Sequence, residues 1–237
     1  MTAPTLLLIH GFPLDSSVFR PFLPYLEPYF RVLKPDLPGF GKSSAAPLAS
    51  LEEIAEALAA LLEREAPAGA FVAGHSMGGY LALTLARRAP QRILGLGLLS
   101  TQSAADAPER AAGRRESAEN LLAQGISSLA ETMPAKLSAD PGHINALREV
   151  IARQKAASAA AALQAMAARP DLTPALTDFP GPIVLLHGLA DVLIPPQRAR
   201  EMLAAQPSAV LRELPGVGHM PVWEAPAESA AALLELL

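Results

Sequence analysis

The chain has 237 residues, 51% of them hydrophobic and 18% charged, with a formal net charge of −4. That is material for one domain with a large core, alone or with an insertion, and not the composition of a disordered chain; the mild negative charge argues against nucleic acid as a partner. Cysteine is absent, which excludes disulfides, thiolate catalysis and thiolate-held metals.

The N-terminal MTAPTLLLIHG has no basic segment, and its apolar run is only Leu6–Ile9. That is too short for the core of a secretion signal, and no later run approaches the ~18 apolar residues of a membrane span. A cytoplasmic protein with no membrane partner is expected. The run Thr5–Ile9 stops at His10-Gly11, and a second, Arg31–Lys34, stops at Pro35-Asp36. Leu51 to Glu65 has a helical period: Leu51, Ile54, Leu58, Leu61 and Leu62 share a face, with Ser50 as N-cap ahead of Glu53. Ala70–Ala73 is a third apolar run, and Gly78 to Ala89 reads as a helix ended by Pro90. Ile93–Leu99 is the fourth run and stops at Ser100-Thr101.

From about Ala105 to Pro170 no strand-like run occurs. Arg114–Gln124, Ile144–Ala157 and Ser158–Arg169 read as helices, with Pro134 and Pro141-Gly142 separating the first from the other two. Strands resume at Ile183–Leu186 and Ala209–Leu214, each followed by a helix, Pro196 to Ala205 and Pro226 to Leu237. Short apolar runs without polar alternation suit strands buried on both faces. Alternating with helices, they build a mostly parallel sheet covered on both sides. The expected architecture is an α/β core made of residues 1–104 and 171–237. Residues 105–170 are expected to form a helical cap, or lid, inserted between the strands near 93–99 and 183–186, the alternative being extra packing helices with no role in substrate choice. In such a sheet the working residues stand at the carboxyl ends of the strands.

The strongest local signal is Gly74-His75-Ser76-Met77-Gly78-Gly79, a G-x-S-x-G turn with a strand before it and a helix after it. A sharp strand-to-helix turn pushes one side chain up at the sheet edge, and the positions two residues to either side must be small. Ser76 then stands at a helix N-terminus, where free N–H groups favour developing negative charge. A serine nucleophile needs a base, and the base an orienting acid. Of five histidines, His219 lies in the loop after the last strand-like run, where a base belongs. His75 neighbours Ser76 in sequence, but its side chain is expected to point away from the turn. His10 suits a loop-shaping role, His143 lies in the insertion, and His187 ends the fifth strand as a core or supporting residue. The acid is best placed at Asp191, after the fifth strand, with Asp106 as the rival; the order Ser76, Asp191, His219 then holds. Oxyanion donors are expected from the backbone N–H groups of Met77 and Phe12, because Pro13 has no N–H to offer. Gly39-Phe40-Gly41-Lys42-Ser43 ends like a phosphate-binding loop, but Asp36 stands where that pattern needs glycine.

Taken in order, HGFPLD, DLPGFGKSS, GHSMGG, GLADVLIPP and GVGHMPVWEAP resemble the landmarks of the α/β-hydrolase fold superfamily. Within it the chain is similar to small bacterial carboxylesterases and 3-oxoadipate enol-lactonase-like hydrolases. The resemblance implies Ser76 as nucleophile, Asp191 as acid, His219 as base, and Phe12 and Met77 as oxyanion donors. Serine at the elbow separates the chain from the dehalogenase and epoxide hydrolase branches, which carry aspartate there. The family's usual eight strands include two ahead of the HG loop, and few residues precede that loop here. The expected activity is carboxylic-ester hydrolysis through an acyl-enzyme on Ser76, with small to medium acyl groups. Lactone or C–C bond hydrolysis with the same triad is the alternative, and acyl transfer or non-catalytic ligand binding stand further off. No cofactor or metal is required. The expected partner is a small ester substrate, and the protein is expected as a monomer or homodimer. Leu121, Leu122, Ile126, Leu129 and Met133 of the insertion carry two readings: some face the site, or they only pack the insertion onto the core.

Overall fold

A computed structural model describes residues 3–237. Six strands form one all-parallel sheet: β1 (Thr5–Ile9), β2 (Arg31–Leu33), β3 (Ala70–His75), β4 (Ile93–Leu99), β5 (Ile183–Gly188) and β6 (Val210–Leu214). Their spatial order is β2-β1-β3-β4-β5-β6. The chain reverses its direction of travel across the sheet at β1, so the carboxyl ends of β1 and β3 flank a crevice, the place where ligands enter such sheets.

The helices in chain order are α1 (Leu23–Leu26), α2 (Leu51–Glu65), α3 (Met77–Arg88), α4 (Pro108–Gln124), α5 (Ser127–Thr132) and α6 (Pro134–Leu137). They continue as α7 (Pro141–Ala152), α8 (Ala156–Ala167), α9 (Thr173–Thr177), α10 (Gln197–Ala205), α11 (Pro221–Glu224) and α12 (Pro226–Leu234). Helix α2 starts as its sequence predicts. Ser50 Oγ accepts from the Glu53 N–H at 3.2 Å, and the Glu53 carboxylate accepts from the Ala49 N–H at 2.8 Å, so two otherwise idle donors are used.

The apolar runs work because successive side chains of a strand point to opposite faces. Leu7 and Ile9 join the core formed with α2, α3, α9 and α10, while Leu6 and Leu8 join the core formed with α1, α11 and α12. Buried area of this kind stabilises by about 25 cal/mol per Å². No described helix is long and apolar enough to cross a membrane.

The helical insertion lies between β4 and β5 and comprises α4 to α8. It divides between the two cores: Ala118, Leu121, Leu163 and Met166 pack on one side, Leu137, Leu147, Val150 and Ile151 on the other. Its internal boundaries differ from the sequence expectation. Two short helices, α5 and α6, stand where the sequence showed only a proline-marked separation, because Pro134 occupies the first turn of α6, a position that needs no N–H. The break between α7 and α8 falls at 153–155 instead of 157–158, since Arg153 and Gln154 turn back onto Asp15.

Candidate active site

Ser76 stands between β3 and α3 with φ 54° and ψ −116°, a backbone conformation that non-glycine residues avoid. The turn is held by its neighbours. The Ser76 N–H donates to Leu99 O at 2.9 Å, and Thr101 Oγ1 donates to Ser76 O at 2.8 Å. Both partners stand at the end of β4, and sequence reasoning missed them; the polar pair Ser100-Thr101 closing an apolar run is the signal that could have found them. Glycine is required on both sides of the elbow. A Cβ at Gly74 would meet Gly78 O at 2.0 Å, and one at Gly78 would meet Ile9 O at 2.1 Å. The elbow is therefore pressed onto the end of β1, next to the loop that carries Phe12.

His219 and Asp191 come together from the loops after β6 and β5. His219 Nδ1 lies 2.7 Å from Asp191 Oδ2, and both residues are buried. An ionised carboxylate only accepts, so the Nδ1 proton belongs to His219 and its Nε2 lone pair is left free. The other oxygen, Asp191 Oδ1, accepts from the N–H groups of Leu193 at 2.8 Å and Ile194 at 3.0 Å. Burial pushes the Asp191 carboxyl up, but the nearby His187 and the bonds from His219 and Ile194 outweigh it, and the group sits well below the usual carboxylate range. The two loops are knit by Leu189 N–H to Leu214 O at 2.9 Å and Ala190 N–H to Val217 O at 2.8 Å.

The other histidines take supporting places. His187 Nε2 donates to Ile194 O at 2.8 Å and lies 3.4 Å from Asp191 Oδ2, the supporting position expected for it. His75 does turn away from the cavity, but it packs onto His219. Its Nε2 donates to His219 O at 2.7 Å, and the two rings are 5.0 Å apart. Burial, and then the adjacent His219 ring, push the His75 imidazole down to about 3, so it stays neutral. His10 Nε2 accepts from the Leu37 N–H at 3.0 Å and Nδ1 reaches Gly11 O at 3.0 Å, which shapes the loop ahead of Phe12. His143 lies away in the insertion, edge-on to Trp223. Asp106 meets no histidine and is ringed by arginines.

A cavity of about 580 Å³ is lined by Ser76, His219 and Phe12, and by Leu121, Leu129 and Met133 of the insertion. Leu122 points outward and Ile126 packs beneath. The Ser76 hydroxyl faces the same cavity as His219 but is not hydrogen-bonded to it in this structure; such contacts commonly tighten only with substrate. Among the described residues the N–H groups of Phe12 and Met77 have no acceptor, and no set of three His, Asp or Glu side chains gathers as metal ligands. The arrangement can polarise a hydroxyl, orient a base and receive an oxyanion.

Known proteins share this frame. The chain is 32% identical over 253 residues to the pimeloyl-[acyl-carrier protein] methyl ester esterase of Aromatoleum aromaticum, covering 99% of this chain and 98% of that one. It superposes on a thermophilic esterase from Thermogutta terrifontis, solved with malate bound, with TM-score 0.93 and 34% identity, over 99% of this chain and 89% of that one. The enol-lactonase of Burkholderia xenovorans gives TM-score 0.89 and 25% identity over 100% of this chain and 92% of its own. The family model for alpha/beta hydrolases matches residues 6–232, and with that sheet, that elbow and these relatives the chain belongs to the α/β-hydrolase family.

Proposed function

We propose that the protein is a serine esterase that cleaves carboxylic esters through an acyl-enzyme on Ser76. The observation that carries this is the 2.7 Å contact between His219 Nδ1 and Asp191 Oδ2, made by a histidine that opens onto the same cavity as Ser76. In this reading Ser76 Oγ attacks the ester carbonyl while His219 Nε2 takes its proton. Asp191 holds the ring and stabilises its charged form. The N–H groups of Phe12 and Met77 receive the oxyanion. The carbonyl–alkoxide bond then breaks, His219 returns the proton to the leaving oxygen, and an alcohol departs. Water, deprotonated by His219, attacks the acyl-enzyme and frees the acid and Ser76.

Residues 105–170 are, on the same reading, a cap over the site. Leu121, Leu129 and Met133 face the cavity and suit acyl groups of small to medium length. The Aromatoleum relative's name adds methyl esters of carrier-bound acyl chains to the substrates worth testing. The likeness to the Burkholderia enol-lactonase supports a lactone as a second substrate class for the same triad.

A fluorophosphonate probe and a panel of p-nitrophenyl esters and lactones test the assignment. The wild-type protein is expected to be labelled and to turn over short and medium esters. Ser76→Ala should lose the label and at least ~10⁴-fold in turnover. Near-full activity in Ser76→Ala would overturn the reading, and turnover of lactones alone would move it to the second class.

A further inference from the structure

The charged residues that line the cavity are all of one sign. Arg110, Arg114 and Lys136 take part in its wall beside His219, and no carboxylate does among the described residues. Behind the arginines of the wall stands Asp106, whose side chain is 2% exposed. It meets three guanidiniums: Arg114 Nε at 2.5 Å, Arg169 Nη2 at 3.3 Å and Arg110 Nε at 3.6 Å. One negative charge against three positive ones leaves a surplus of two, and Lys136 adds to it.

Asp106 is not shared equally in its effect. The Arg169 side chain is fully buried, and a buried cation depends most on its counter-ion. It also donates to Ala104 O at 2.8 Å and lies 3.9 Å above the Tyr80 ring, where its Nε and Nη1 find no other partner and the ring face attracts them. Arg114 makes the shortest contact to Asp106, but through Nε alone. Its Nη1 rests on Met166 Sδ at 3.4 Å, a weak acceptor, and its Nη2 has no partner among the described residues. This guanidinium forms part of the cavity wall with donors to spare.

We propose that this wall selects esters whose acyl part carries a carboxylate of its own, the half-esters of dicarboxylic acids, with Arg114 as the main contact and Arg110 and Lys136 as supporting charge. The inference rests on the esterase reading above and narrows its substrate class. Arg114 is only 14% exposed and lines the same cavity as Ser76, so the group that reaches it is a small carboxylate held inside that cavity. A planar guanidinium pairs well with a planar carboxylate.

The test compares monomethyl adipate with dimethyl adipate as kcat/KM at fixed ionic strength, in the wild-type protein and in Arg114→Gln, Arg114→Lys and Lys136→Gln. The wild type should favour the half-ester by about tenfold or more, the scale of one charge-assisted contact. Arg114→Gln should abolish most of that ratio, Arg114→Lys should restore part of it, and Lys136→Gln should lower it at an exposed position where folding is not at stake. Free adipate should inhibit the wild type competitively and Arg114→Gln less. A wild-type ratio of one or below, or a ratio unchanged in both Arg114→Gln and Lys136→Gln, would overturn the inference. If the diester is turned over without charge preference, only this inference fails. If neither ester is turned over and Ser76 takes no label, the esterase reading fails with it.

Discussion

Asp191 accepts three hydrogen bonds, from His219, Leu193 and Ile194, and has His187 beside it. If its work is to keep the Nδ1 proton on His219, then Asp191→Asn keeps the shape and spoils the tautomer, since an amide N–H cannot accept from Nδ1–H. Turnover of a p-nitrophenyl ester should fall on the order of 10⁴-fold while the melting temperature moves far less. A loss under tenfold would remove Asp191 from the role. The strand-end positions of Ser76, Asp191 and His219 were legible because each follows an apolar run, and in parallel sheets those ends meet. Their supports were not. Thr101 on Ser76 O and His75 on His219 O bond to backbone atoms, and no residue pattern encodes which carbonyl a side chain reaches across 25 or 144 positions.

Among the elements, all six strands announced themselves as apolar runs, but only the inner four are buried on both faces; β2 and β6, at the sheet edges, are partly exposed. The strands' starts agree with the sequence to within a residue. Two of their ends did not: β3 continues through His75 and β5 through Gly188, because polar and glycine residues at the crevice are still paired in the sheet. The insertion was legible as helical but not in its docking, which depends on tertiary contacts. At the end of α7, Arg153 donates to Asp15 from Nε at 2.9 Å and Nη2 at 3.1 Å, and Gln154 Nε2 donates to the same carboxylate at 2.9 Å. Gln154 Oε1 accepts from the Gly41 N–H at 2.9 Å. Asp15 follows the loop that carries Phe12, so this clamp joins α7 to one wall of the site. Asp15→Asn should cost about 1.5–3 kcal/mol, read as a lower urea midpoint, and should speed limited proteolysis between 125 and 155. An unchanged cleavage pattern would mean the clamp does not hold the insertion.

For the molecule as a whole, the buried ionisable groups give stability one pH direction. Burial holds the His10 and His75 imidazoles below their ordinary value, His75 at about 3. The unfolded chain protonates them near pH ~6.5, so their contribution is complete above that pH and is lost as pH falls towards the folded values. Asp15, held at about 2 against burial by its bonds from Arg153, Ser17 and Gln154, keeps its contribution above about pH 4 and loses it below. Both effects run the same way. Urea midpoints should drop steadily from pH 7 to pH 4, at up to about 1.4 kcal/mol per pH unit for each proton taken up. A flat profile over that range would show that these histidines are not buried neutral in solution.

β4 and β5 are hydrogen-bonded neighbours, Leu96 beside Ile183 and Leu99 beside Leu186, although the chain from 100 to 182 intervenes. Whatever lies in that excursion, its two ends are returned to the same place by the sheet, and lengthening such a loop costs little. Ser76 leans on the last residues of β4 and Asp191 on those of β5, so neither feels how long the detour is. If that excursion selects the substrate, as proposed, descendants of this chain can trade one diet for another by rewriting it alone, with the strand ends that carry Ser76 and Asp191 inherited untouched.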